Sequence, residues 1–521
     1  MWNSAGRAAF SRPPAECEPS AAVGGRAAGG TAPFAAMPQI SATEAGKPGQ
    51  IIKDQSLTAP PNSNGFPIAA PPASLERWKG TRARERASLE VVESRRQRIS
   101  TTPSLPRSAT HGIVALSGLA GLIAAFVFLL EVHPFSDTIF SAFFLLTGIA
   151  GAVFAVDLLW GKAHLRPTTG LDFSQWRPSI GRFGVKFVGL LGTVGLLTLI
   201  YSMFPEYHGS FYDRYFSAAR LLLPIGLICS IPYFYCIDAV MVAPEDGFWQ
   251  FGMLVLLRFD RIDPAKLSQH ALSWLVKGFF LALMFTYLCD DLDGLLVRRA
   301  VEFDGFKSFY DYSYSFLYFT DVSFATAGYI FSFRLTDTHF RSAEPTAAGW
   351  VAALVCYEPF WSLVGANYLA YDPGRPWGAI FGGNSVLYAL WGSAILASIA
   401  VYVWATVIFG CRFSNLTHRG IITNGPYRFT KHPAYICKNL SFWMISLPFL
   451  SGGLAQALRH ALLLLLLNGV YFLRAWTEER HLSTDPTYRA YAQWIAKNGL
   501  FALAAGSLSH LTTSRAASTR P

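Results

Sequence analysis

Apolar runs about as long as a bilayer crossing recur through most of this chain, and that recurrence limits its fold more than any motif does. They cover Gly112 to Leu130, Thr138 to Trp160, Phe183 to Phe204, Phe216 to Ile237, Ala271 to Leu288, Tyr310 to Phe331, Trp350 to Leu369, and Val386 to Gly410. The last two, Leu440 to Leu454 and Leu458 to Trp476, read as a tight hairpin. Each approaches the roughly 20 residues that a membrane helix needs. Only 15% of the residues are charged and 52% are hydrophobic, whereas soluble domains carry about 25% charged residues. The expected fold is all-α: a polytopic integral-membrane helical bundle of about ten spans. Phe248 to Leu257 is too short to cross and suits the membrane interface.

Four segments follow. Residues 1–107 are rich in Ala, Pro, Gly and Ser and lack sustained periodicity, which predicts a disordered basic tail. Within it, Arg77 to Arg98 is dense in Arg and Glu and suits a solvated surface helix. Residues 108–375 form a membrane helical region of unknown role, 376–498 carry the chemistry-bearing motifs, and 499–521 form a C-terminal tail. The net charge of +10 does not point to nucleic acid. Much of it lies in the tail and in short connections: Lys162 to Arg182, Arg258 to Lys266, Arg334 to Arg341, and Arg412 to Lys438. The connections between them are poorer in basic residues, apart from Arg298 and Arg299. This alternation puts both termini, the Gly425 turn and Glu478 in the cytoplasm. The expected location is therefore an integral, multi-pass membrane protein among membrane lipids. The seven cysteines are scattered and form no CxxC pair, so no metal site or disulfide framework is expected.

Two polar clusters bracket the final hairpin. The first reads Asn424-Gly425-Pro426-Tyr427-Arg428-Phe429-Thr430-Lys431-His432-Pro433-Ala434-Tyr435. Gly425-Pro426 is a turn signal, and Pro433 suits the first turn of a helix. Free backbone N–H groups at such a helix start favour an anion. The second cluster reads Arg474-Ala475-Trp476-Thr477-Glu478-Glu479-Arg480-His481-Leu482. Arg474 and Glu478 are four apart and share a helix face. An acid there can bind an ammonium group and an arginine can steer an anion. Asp485-Pro486-Thr487-Tyr488-Arg489-Ala490-Tyr491 then gives a turn and a short helix bearing two tyrosines.

In this order, Gly-Pro-Tyr-Arg, Lys-His-Pro-Ala-Tyr, hairpin, Arg474, Glu478-Glu479, Tyr488 and Tyr491, the stretch from Val386 to Trp494 resembles the isoprenylcysteine carboxyl methyltransferase family. That family is related to the phospholipid methyltransferases. Lys431 stands where the family motif often has Arg, and no Gly-x-Gly pattern precedes it. The resemblance implies an S-adenosylmethionine-dependent membrane methyltransferase acting on a lipidic acceptor, with a prenylcysteine-type carboxylate as the default. It implies that His432, Pro433 and Tyr435 line the cofactor pocket and that Tyr427 and Arg428 close its cytoplasmic side. Glu478 and Glu479 would hold the cofactor's ammonium or ribose hydroxyls, and Arg474 would orient the acceptor, so that Arg474 and Glu478 carry the catalytic role.

Acids inside apolar runs are costly, at least ~2.5 kcal/mol each, and are functional candidates by default. Asp157 and Asp238 lie near span ends and suit structural roles. Asp321 and Glu358 are deeper and are candidates for a substrate path. Two other functions remain open: a sterol-type membrane reductase using NADPH, and a non-enzymatic lipid transporter or scaffold in which Asp321 and Glu358 are the working residues.

Overall fold

The structure, a computed structural model, describes residues 104–297, 305–371, 377–450 and 452–503. The expectations for the tail before residue 104, the Arg77 to Arg98 stretch, Arg298 and Arg299, and the chain after 503 lie outside the described residues.

Fourteen α-helices carry nearly all the regular structure among them. In chain order they are α1 (Gly112–Val132), α2 (Thr138–Leu159), α3 (Ile180–Met203), α4 (Asp213–Val240), α5 (Gly247–Val255), α6 (Pro264–Val297) and α7 (Phe306–Ile330). Then come α8 (Ala347–Leu354), α9 (Phe360–Tyr368), α10 (Trp377–Phe381), α11 (Ser385–Val407), α12 (Pro433–Ser446), α13 (Leu454–Leu482) and α14 (Pro486–Asn498). The two short strands, β1 (Ser342–Ala343) and β2 (Thr417–His418), pair antiparallel, with Ser342 opposite His418.

Seven helices among the described residues are long and apolar enough to cross a membrane: α1, α2, α3, α4, α6, α11 and α13. The sequence expects about ten, and the other three expected spans differ in instructive ways. Helix α7 has the length, but it carries Lys307, Asp311, Asp321 and a series of tyrosines. The expected span from Trp350 to Leu369 is broken into α8 and α9, because Pro359 cannot continue the first helix. The expected span from Leu440 to Leu454 is instead α12, which starts earlier, at Pro433, and stops where Leu447 turns left-handed ahead of Pro448. At 1.5 Å per residue α12 is about 21 Å long, short of the ~30 Å hydrocarbon core. Phe248 to Leu257 does form a helix, α5, and it is docked on α3. A Cβ on Gly189 would lie 1.9 Å from the carbonyl oxygen of Phe248, so only glycine permits that approach.

The core is built around α6 and α7. Phe280 of α6 stacks on Tyr329 of α7 at 5.6 Å between centroids. Buried residues from Val114 through Phe280, Tyr329, Ile395 and Val403 to Leu447 form one hydrophobic cluster, so the stretches 108–375 and 376–498 share a core.

One end of the bundle is knitted by charge. Arg412, 1% exposed, places its guanidinium 3.2 Å from Asp157 and 3.7 Å from Asp337. Arg166 pairs with Asp157 at 2.6 Å, and Arg341 with Asp337 at 3.1 Å. Nearby, Asp238 takes Lys186 at 2.8 Å and Arg182 at 2.7 Å. Asp157 and Asp238 thus take the structural roles the sequence suggested. The same end gathers Asn424 against Ser108 and Thr110, and Gln269 against Ala343.

Removing one partner of a buried charge pair leaves the other uncompensated, at a cost of about 3–5 kcal/mol. Asp157→Ala should therefore lower the thermal midpoint of the detergent-solubilised protein sharply. Asp157→Leu combined with Arg412→Met should lower it less. Equal midpoints for wild type and Asp157→Ala would show that the charge layer holds nothing together.

Candidate functional site

The loop from Phe413 to His432 forms at the knitted end because Arg419, Asn415 and Asn424 tie it to its neighbours. Arg419, 2% exposed, donates to the carbonyls of Thr338, Gly328, Phe413 and Cys411. Asn415 donates from its backbone N–H to the Tyr329 hydroxyl at 2.8 Å and from its side chain to the Tyr357 hydroxyl at 3.1 Å. The Gly425-Pro426 signal is realised as a 3-10 turn over Gly425–Arg428, with Gly425 at φ 56°. Tyr491 of α14 clamps this turn by donating to the Tyr427 carbonyl at 2.6 Å. Burial holds the Tyr427 phenol well above its usual range, so it stays un-ionised. Pro433 then opens α12 directly after His432.

Helix α13 returns beside α12 and brings the second cluster to the first. Its adjacent carboxylates do different work. Both Glu479 oxygens are engaged: Oε2 with Lys431 Nζ at 2.6 Å, and Oε1 with His432 Nε2 at 2.7 Å. Glu478 accepts the Tyr435 hydroxyl on Oε2 at 2.8 Å, while its Oε1 has no donor among the described residues. The His432 and Tyr435 rings lie parallel at 5.5 Å. One turn back along α13, Arg474 donates to Asn415 Oδ1 at 2.5 Å and to the Tyr357 hydroxyl at 3.3 Å. Its guanidinium lies over the rings of Tyr357 and Tyr435, each at 5.4 Å.

These residues wall a cavity that is partly open to solvent. From α12 and the turn before it come Tyr427, Lys431, His432, Tyr435 and Lys438. From α13 come Tyr471, Arg474, Thr477, Glu478 and His481. Helix α11 adds Tyr402 and Thr406, the loop adds Asn415, and the first two-thirds of the chain add Glu344, Gly349, Ala353 and Tyr357.

Of the expected site residues, Tyr427, His432, Tyr435, Arg474 and Glu478 line this cavity together. Three stand apart from its surface. Arg428 is exposed, Pro433 is buried at the helix start, and Glu479 braces Lys431 and His432. Asp321 backs the wall, accepting from Thr406 at 2.5 Å and from the Tyr402 hydroxyl. Glu358 does not reach the cavity; it accepts from Ser362 at 2.6 Å. Sequence reasoning missed Asn415, Tyr357, Tyr402, Lys438 and Glu344. Only Glu344 carried a signal, a Glu-Pro-Thr turn before α8, whose N-cap is Thr346. Among the described residues no cluster of His, Cys, Asp and Glu suits a metal ion.

No protein-family model matches the chain, and neither a curated protein nor a solved structure matches it.

The β1–β2 pair beside the cavity makes the protein acid-sensitive. Burial, reinforced by Arg341, pushes the His418 imidazole down to about 4 despite Asp485 nearby. An unfolded histidine titrates near 6.5, so the unfolded chain takes up this proton first. Stability should fall by ~1.4 kcal/mol per pH unit from pH 6.5 to about 4 on this account, then level off. His339 is also pushed down, by burial and four nearby arginines, and adds to the slope. Thermal midpoints from pH 7 to pH 5 should decline less steeply in His418→Gln. An identical decline would show that this imidazole takes up its proton as readily in the fold as in the unfolded chain.

Proposed function

We propose that this protein is an integral-membrane methyltransferase that uses S-adenosylmethionine and acts on a lipidic, membrane-embedded acceptor, by resemblance a prenylcysteine-type carboxylate. The observation that carries the reading is the shared cavity. The Lys-His-Pro-Ala-Tyr segment and the Glu-Glu helix end, separated in sequence by the final hairpin, wall one space with Arg474 between aromatic rings.

The residues present suit the cofactor. Glu478 Oε1, with no donor of its own among the described residues, is an acceptor for an ammonium group. The ring of Tyr427, which carries no cation of the chain's own among the described residues, suits a sulfonium cation. Bound there, S-adenosylmethionine supplies an activated methyl group. The chain's own part is placement. Arg474 is pre-set by Asn415 and Tyr357 to hold an acceptor anion, with no side-chain reorganisation needed on binding. Glu479 holds His432 and Lys431 in position at the rim. A carboxylate acceptor, with a pKa near 3.5–4, is already ionised at neutral pH, so no general base is required. Aromatic side chains on the walls lower the local polarity, which strengthens the attraction between a carboxylate and a sulfonium.

The topology proposed with this function has ten crossing segments: the seven long apolar helices, α7, the broken pair α8–α9, and α12. Contacts such as Asp157 with Arg412 and Gln269 with Ala343 gather the connecting loops at one end. The Lys and Arg excess there makes that end, both termini and the cavity mouth cytoplasmic. A soluble cofactor then enters from the cytoplasm and a lipid from the bilayer.

The test is equilibrium binding of S-adenosylmethionine and NADPH to the detergent-purified chain. S-adenosylmethionine should bind and NADPH should not. Glu478→Ala should weaken binding at least about 10-fold, or ~1.4 kcal/mol, and Arg428→Ala should leave it unchanged. Binding of NADPH alone would replace this reading with the reductase, and binding of neither would favour a transporter or scaffold.

A further inference from the structure

The cavity holds a second cation that the motif resemblance does not assign. His432, Tyr435 and Lys438 follow at intervals of three along α12 and all reach the cavity. Spaced this way they descend one side of the helix, about 4.5 Å per step. Lys438 is therefore the member farthest from the His-Pro turn and from Glu478. Its ammonium lies 4.9 Å from the centre of the Tyr402 ring. Among the described residues Nζ has no hydrogen-bond or ion-pair partner. The acid beyond Tyr402, Asp321, accepts from the Tyr402 and Thr406 hydroxyls and acts on Lys438 through its field rather than through a direct ion pair.

The other charges at the cavity are matched. Lys431 is paired with Glu479 at 2.6 Å, and Glu344 with Arg480 at 3.2 Å. Glu478 is the one lining acid with an oxygen left for a ligand cation. Arg474 has a neutral partner in Asn415 and no carboxylate within ion-pair distance among the described residues. Two cations, Arg474 and Lys438, thus face the space with no carboxylate within ion-pair distance among the described residues, although Lys438 feels the charge of Asp321 from behind Tyr402. A lysine in so aromatic a setting is poorly solvated, and a ligand anion restores what it has lost.

We infer that Lys438 is the residue that selects the acceptor's charge: with Arg474 it grips an anionic carboxylate head, on the side of the cavity away from the cofactor's ammonium site. This rests on the methyltransferase reading for the acceptor's role, and it adds the residue that discriminates a carboxylate from a neutral head of the same shape. The group transfer balances without a proton. The carboxylate oxygen forms the new O–CH3 bond as the S–CH3 bond breaks, and the sulfonium's bonding pair stays on sulfur. An anion and a cation become a neutral ester and a neutral thioether. The product no longer matches Arg474 and Lys438, so the grip that holds the acceptor releases the ester.

The test uses the full chain in detergent and two probes, N-acetyl-S-farnesylcysteine and its carboxamide. Wild type should bind the carboxylate at least about 10-fold more tightly than the carboxamide, a comparison that needs no variant. Lys438→Gln should erase most of that preference and leave carboxamide binding within about threefold. Lys438→Arg should restore it. S-adenosylmethionine binding should be unchanged in both variants, which a general loss of packing would not spare. Equal wild-type affinity for the two probes overturns the inference, as does an undiminished preference in folded Lys438→Gln. If the charge preference depends on Lys438 while S-adenosylmethionine fails to bind, the anion site stands and the methyltransferase reading falls.

Discussion

Arg412 is the interaction on which the placement of everything else depends. Its guanidinium is removed from water and lies between Asp157 at the end of α2 and Asp337 in the loop after α7. Such an arrangement is stable only when the partners are held in position, because a buried charge left alone is far costlier than an apolar side chain. The chain meets that condition by converging three connections on one spot. Arg419 follows and has no acid within ion-pair distance among the described residues; it is satisfied by carbonyl oxygens at the end of α7, in the loop after it and in its own loop. The loop from Phe413 onward is thereby fixed before any residue of the cavity is considered. Asn415 and Tyr427 inherit their positions from it.

The cavity is assembled from that fixed loop and from the pairing of α12 with α13. A double glutamate is a repulsive element unless its two charges face different partners. Here the helix turns them apart. Glu479 faces back to Lys431 and His432 and ties the start of α12 to the end of α13, while Glu478 faces Tyr435 and the open space. The division also explains why the shortness of α12 matters little: the two helices need only hold their polar ends together.

The bundle's helices and the meeting of the two motifs were legible in the sequence, for physical reasons. Runs of Leu, Val, Phe and Gly announce membrane helices, and Gly425-Pro426 and Lys431-His432-Pro433 announce turns whose geometry is local. What was not legible depends on three-dimensional neighbours. The span from Trp350 to Leu369 has enough apolar residues, yet Pro359 divides it. The residue before Pro448 adopts a left-handed angle and ends α12 well short of Leu454. Asn415 sits in an unremarkable loop, and its use becomes visible only when Tyr329, Tyr357 and Arg474 surround it. Asp321 and Glu358 looked alike as acids in apolar runs. One proves to back the cavity wall and the other lies away from it, because helix α7 packs on α11 while the Glu358 turn does not.

The first two-thirds of the chain take part in the site, which bears on what the protein selects. Gly349, with no side chain, and Ala353, with a methyl, line the cavity wall, and Tyr357 closes over Arg474. Gly349 cannot be enlarged without cost: a Cβ there would lie 2.4 Å from Glu344 Cγ, and Glu344 is pinned by Arg480 and Thr346. The backbone of α8 therefore lies against the Glu344 side chain at a distance that only glycine allows. This wall comes from residues outside the motif-bearing stretch, and on the proposed reading it sets the width left for an acceptor independently of the residues that would hold the cofactor. On the proposed reading, two chains with the same Lys-His-Pro-Ala-Tyr and Glu-Glu elements but different α8 segments would admit acceptors of different width, while the charge of the acceptor head stays with Arg474 and Lys438.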